Sequence, residues 1–175
     1  WIDSSDFKIQ CPRGPRRKNP YFSFKNNALS RRFMVISDAK GRIRALFGGY
    51  SPKLYDGHWL EALKEWIEEK LDGGRVIGDC HFSLGKTMFE KVKFFVPFSK
   101  TQKKVNADGA GLQSLTKDQQ KWNKNIAHVR ARIERPFGWL KTTFRCLEKP
   151  WAEEPSTVDY VVWLAAAIWN ARIDD

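Results

Sequence analysis

The sequence predicts an α/β domain in which a mixed sheet is flanked by helices. Three observations predict it. Arg32–Ser37 (RFMVIS) and Ile43–Tyr50 (IRALFGGY) are apolar runs separated by the turn Ala39-Lys40-Gly41-Arg42, the pattern of a β-hairpin. Around Asn123–Lys141, apolar residues recur at Trp122, Ile126, Val129, Ile133, Leu140 and Phe144, the spacing of a helix with one buried face. The elements run as three strands, a helix, two short strands and C-terminal helices, within 175 residues of which 42% are apolar. That length and composition give one domain with a packed core.

Taken in order, Trp1–Ile9 reads as a strand with Asp3, Ser5, Phe7 and Ile9 on one side and Ile2, Ser4 and Asp6 on the other. Gln10–Asn27 is loop-like, with Pro12, Pro15 and Pro20 around the basic triplet Arg16-Arg17-Lys18. Asp38 ends the first hairpin strand and is expected to serve the turn, outside any site. A helix over about Trp59–Leu71, preceded by Tyr55-Asp56-Gly57-His58, is stopped by Asp72-Gly73-Gly74. Arg75–Asp79 is a short strand ending in an acid. Phe94–Phe98 is a further extended segment that Pro97 confines to an edge or end.

Ser99–Leu115 reads as a flexible connection, and Thr116 with Gln119 as the capping box of the long helix. Pro136 must kink or split that helix. Ser156 with Asp159 caps a last helix, Thr157–Ile173, apolar nearly all round and therefore expected to be buried.

The net charge of +11 points to a polyanionic partner. Eleven Lys/Arg and one acid, Asp38, lie between Lys8 and Arg44; seven Lys/Arg and one acid, Glu134, lie between Lys121 and Arg145. Two basic segments around acidic points suit a nucleic-acid groove, with Arg16, Arg17, Lys18, Arg132 and Arg135 as the DNA-binding candidates. Cys11, Cys80 and Cys146 share no metal or disulfide spacing, which favours a reducing compartment. The longest apolar run, Val161–Trp169, is too short to span a bilayer, so no membrane partner is expected. Because the chain opens on Trp1 within a strand-like segment, a fragment of a longer protein is expected.

Four acids stand apart: Asp3 in the first strand, Asp56 at a helix start, Asp79 at a strand end and Glu134 on the long helix, with spacings of 53, 23 and 55. Strand ends and one helix can gather such residues at one sheet edge. A carboxylate cluster suits Mg²⁺, which takes one or two carboxylates plus phosphate oxygens. Two such ions serve phosphodiester cleavage. At about 100° per residue, Arg130 and Glu134 lie almost directly above Asn123, in a polar stripe beside the buried face.

IDSSDFKI followed by a proline, KLYDGHWL, VIGDCHF and NKNIAHVRARIERPFGWLK resemble the DDE nuclease domain of PIF/Harbinger transposases and Harbinger-derived nucleases. The last block is the most specific: asparagine, then arginine, then Glu-Arg-x-Phe-Gly-x-x-Lys. The resemblance implies a ribonuclease-H-like fold and a divalent-metal-dependent DNA endonuclease or transposase domain holding two Mg²⁺ or Mn²⁺. It implies Asp3, Asp56 and Glu134 as catalytic acids, Asp79 as a further metal-site acid, and Asn123, Arg130 and Lys141 as supporting residues. It also implies DNA as substrate, a nuclear location, a separate Myb-like DNA-binding partner and scope for a homo-oligomer. The family's Asp-Gly-Thr stands here as Asp3-Ser4-Ser5, which leaves every carboxylate in place. The alternative is a domesticated or decayed copy that binds DNA or protein without cutting.

Overall fold

The computed structural model describes residues 1–10, 18–99, 102–106, 109–113, 115–131 and 134–174. Its centre is an antiparallel sheet of β1 (Ile2–Lys8), β2 (Phe22–Ser23), β3 (Ala28–Ser37) and β4 (Ile43–Tyr50). The long β3 pairs with the other three, and β1 lies at the edge. The expected hairpin is present as β3 and β4. Its turn is built by Asp38, whose side chain accepts from the backbone N–H groups of Lys40 at 2.9 Å and Arg42 at 3.1 Å. Gly41 supplies the left-handed φ of +87° that this turn requires.

Both faces of the sheet are covered because both parities of β1 and β3 are apolar. Phe7, Ile9, Phe33 and Val35 pack into a core with Phe137, Leu140, Val158 and Val162. Ile2, Met34 and Ile36 pack into a second core with Trp59, Leu60, Ile67 and Phe94. Each fully buried side chain of this size contributes roughly 1.5–3 kcal/mol. Phe33→Ala, at a position with no exposed surface, would cost about 3–5 kcal/mol.

The helix expected over Trp59–Leu71 is two short helices, α1 (Asp56–Ala62) and α2 (Lys64–Lys70), broken at Leu63 where φ is −107° and ψ is 6°. Gly73, at φ +69°, stands where the stop was expected. β5 (Arg75–Ile77) is followed by a 3₁₀ turn at Cys80–Phe82 and the short α3 (Gly85–Met88), and pairs in parallel with β6 (Lys93–Phe95). Within the segment expected to be a flexible connection, β7 (Gln102–Asn106) and β8 (Gly109–Gln113) form an antiparallel pair.

α4 (Lys117–Arg130) opens on the expected Thr116/Gln119 capping box. The long segment is two helices, α4 and α5 (Glu134–Thr143), with residues 132 and 133 between them outside the described residues. Pro136 thus falls in the first turn of α5, where backbone N–H groups have no helical partner and its missing donor costs nothing. α6 (Arg145–Glu148) leads to α7 (Thr157–Asp174).

α7 corrects two expectations. Only the face of Val158, Val162, Ala165 and Ala166 is buried, while Tyr160, Trp163, Leu164 and Ile168 are exposed. An apolar helix on the outside of a sheet has one core to face, not two. Among the described residues the Asp159 carboxylate makes no capping bond to Ser156; Arg31 of β3 grips it through two bonds of 2.8 and 2.6 Å. Asn170 adds a second tie by bonding both the N–H and the carbonyl of Ile43 at 2.8 Å.

Candidate active site: a pocket of three aspartates

β1 brings Asp3 and Ser4 to the sheet edge, and α1 begins beside them with Asp56 as its first residue. An acid in the first turn suits the positive end of the helix. Asp79 precedes the 3₁₀ turn and caps it, accepting from the His81 N–H at 2.8 Å. Together Asp3, Asp56 and Asp79 line one polar pocket of about 390 Å³, with Ser4, Lys25, Arg32, Lys53, Tyr55 and His81 among its walls.

Local hydrogen bonds hold each acid. Asp3 accepts from the Ser4 N–H at 2.8 Å. Asp56 is only 8% exposed and accepts from Ser4 Oγ at Oδ2 and from Arg32 Nη1 at Oδ1, both at 3.2 Å. Burial pushes the Asp56 carboxyl above the usual range; Arg32 pulls it down, the negative charge of Asp79 pushes it further up, and the balance is upward. Tyr55 at the pocket wall is also shifted upward, by burial first and then by the nearby charges of Cys80, Asp56 and Asp79. Burial is the first cause of both shifts, and the neighbouring acidic charges add to it.

The profile of the DDE superfamily endonucleases matches residues 2–170. The chain belongs to that family. No curated protein and no solved structure matches it. Membership makes this a transposase-type nuclease at family level, from a superfamily that acts on DNA and generally uses divalent metals.

In this DDE endonuclease domain the donors fit a hard cation in kind, being three carboxylates and a hydroxyl around one polar pocket. Among the described residues, however, no three His, Cys, Asp or Glu side chains stand close enough together to hold a metal ion. Glu134 is the first residue of α5; its side chain and that of Arg135 lie outside the described residues, as do Arg16, Arg17 and Arg132 entirely. Lys18 is exposed.

Of the expected polar stripe, Asn123 and Arg130 lie on α4, while Glu134 opens α5 with its side chain outside the described residues. Asn123 instead clamps the backbone of Phe98, accepting from its N–H at 2.8 Å and donating to its carbonyl at 3.0 Å. Arg130 has its Nε shielded from solvent with no hydrogen bond among the described residues. Lys141 reaches β1, donating to Ser5 Oγ at 2.7 Å and to the Asp6 carbonyl at 3.0 Å, with its ammonium 5.0 Å from the Phe7 ring centre. Burial lowers its pKa, against the opposing pull of Asp6. Lys141 thereby fixes α5 on the strand that carries Asp3.

Sequence reasoning missed Arg32 and Asp6. Both were visible as charged residues in apolar strands, but only the antiparallel register, which sets Asp6 opposite Arg32, joins them.

Proposed function

We propose that this chain is the catalytic domain of a Harbinger-type, divalent-metal-dependent DNA endonuclease or transposase with a ribonuclease-H-like arrangement. The observation that carries the reading is the convergence of Asp3, Asp56 and Asp79, drawn from β1, the start of α1 and the turn after β5, on one pocket. Asp3, Asp56, Asp79 and Glu134 would hold two Mg²⁺ or Mn²⁺. When bound, they would supply activation of the attacking oxygen and stabilisation of the leaving oxygen of a phosphodiester.

The chain's own residues do the rest. Lys25 and Lys53 at the pocket wall offer positive charge to a DNA phosphate. Tyr55, 48% exposed and with its ring centre 5.9 Å from that of His81, presents an aromatic surface to an adjacent base. Lys141 sets the register of α5, and so of its first residue Glu134, against β1. Arg16, Arg17, Lys18, Arg132 and Arg135 extend the DNA track, and the work belongs in the nucleus, with a Myb-like partner supplying sequence recognition.

The test is Glu134→Gln. Mg²⁺-dependent nicking of plasmid DNA is expected to vanish while DNA binding stays nearly unchanged, and undiminished nicking removes Glu134 from the mechanism. A domesticated, non-cutting module is the second reading, favoured by the spacing of the described acids, no three of which are within reach of one ion. Mn²⁺ calorimetry separates the two, because a module that only binds DNA has no use for the ion.

A further inference from the structure

Behind the three-acid pocket lies a fourth carboxylate that does not line it. Asp6 of β1 is 8% exposed and faces Arg32 directly across the strand pair. The two meet as a fork: Arg32 Nε to Asp6 Oδ1 at 2.6 Å and Nη2 to Oδ2 at 3.2 Å. Asp6 also accepts from Ser23 Oγ at 2.7 Å and Asn26 Nδ2 at 3.2 Å, so four bonds hold its carboxylate. A guanidinium gripped in this way is fixed in its plane, with both N–H groups of Nη1 left over from Asp6. Its Nη1 points to Asp56 Oδ1 at 3.2 Å, and the arginine side chain is 15% exposed.

We propose that Arg32, anchored by Asp6, is a positioning residue that orients the Asp56 carboxylate and shares it with the cation of the active site. This rests on the metal-dependent reading of the pocket. Each Asp56 oxygen has a second lone pair beyond the bonds from Arg32 and Ser4, so the arginine orients the acid without exhausting it. Its positive charge, one hydrogen bond from a ligand oxygen, also weakens the hold on any cation there. The two effects pull in opposite directions: Arg32 is needed for turnover yet loosens metal binding. A residue that merely supported the fold would, when removed, weaken both together.

The full chain is titrated with Mn²⁺ by calorimetry and assayed for plasmid nicking as wild type, R32Q, R32K, D6N/R32Q and D56N. The double variant is included because R32Q alone strands the buried Asp6 charge; its circular dichroism should match wild type. In R32Q, Mn²⁺ should bind about fivefold or more tightly, and in D6N/R32Q, where the farther Asp6 charge is removed as well, more tightly than wild type by a smaller factor. Nicking turnover should fall about tenfold, with KM for DNA within about twofold. R32K keeps the charge but loses the fork, so its Mn²⁺ affinity should stay at the wild-type level while the rate falls by a smaller factor. Unchanged or weaker Mn²⁺ binding in folded D6N/R32Q, with binding still lost in D56N, overturns the role of Arg32 and leaves the nuclease reading standing. No Mn²⁺ binding by the wild type overturns both.

Discussion

Asp38 and Asp56 each sit at the end of an apolar element with an arginine within hydrogen-bond reach, yet the two regions are built for opposite ends. At the hairpin, Asp38 is bonded by the N–H groups of Lys40 and Arg42 and by Arg44 Nε at 2.9 Å. Partial burial pushes its pKa up, but the two backbone bonds and Arg44 outweigh that and hold the carboxyl below its ordinary value. At the pocket, Asp56 is more deeply buried, has Asp79 nearby, and ends above its ordinary value in spite of Arg32. A carboxylate satisfied by its own turn stabilises the fold. One buried beside another acid is held above its ordinary pKa and costs stability at neutral pH.

That contrast can be broken by exchanging the predicted consequences. The largest effect is expected for Asp56→Asn, which should reduce metal-dependent nicking on the order of a hundredfold or more while leaving the apoprotein at least as stable in urea. If it nicks at the wild-type rate, the pocket is not the active site. Asp38→Ala should do the reverse, costing roughly 1–2 kcal/mol in urea unfolding with nicking unchanged at a temperature where it is folded. Gly41→Ala should cost about 1 kcal/mol, again with nicking unchanged, because only the φ of +87° is disturbed.

The smallest effect is in the pH dependence of stability, measured in chelator between about pH 3 and pH 7. Asp38, with a lowered folded pKa, contributes stability that is present above its unfolded pKa and lost as pH falls through the folded one. Asp56, with a raised folded pKa, binds its proton more tightly in the folded state. Its neutral form therefore favours folding below that pKa, and stability is lost as pH rises through it. Asp38→Asn and Asp56→Asn should thus change the slope of urea midpoint against pH in opposite directions. Slopes that move together would contradict the difference in environment.

Much of this was legible from the chain. Alternation along Trp1–Ile9 correctly separated Phe7 and Ile9 from Ile2, since each parity enters a different core. The hairpin, the turn role of Asp38 and the Thr116/Gln119 box depend on neighbours a few residues apart and were read as they stand. Asp3, Asp56 and Asp79 were singled out, and they line one pocket. The division into α4 and α5 was read only as a consequence of Pro136, whose effect at an interior position and in a first turn is opposite. The exposed side of α7 was missed because apolar composition says nothing about how many layers lie beyond a helix.

Local pattern determined which residues are strand, turn and cap, and which acids stand out from an otherwise basic chain, because those preferences act between near neighbours. Only the tertiary structure decided that Asp6 faces Arg32 and that Arg32 reaches Asp56. It alone decided too that Asn123 spends its amide on Phe98. Such pairings depend on strand register and helix docking, which juxtapose residues 24 to 26 positions apart, and spacing along the chain carries no measure of either.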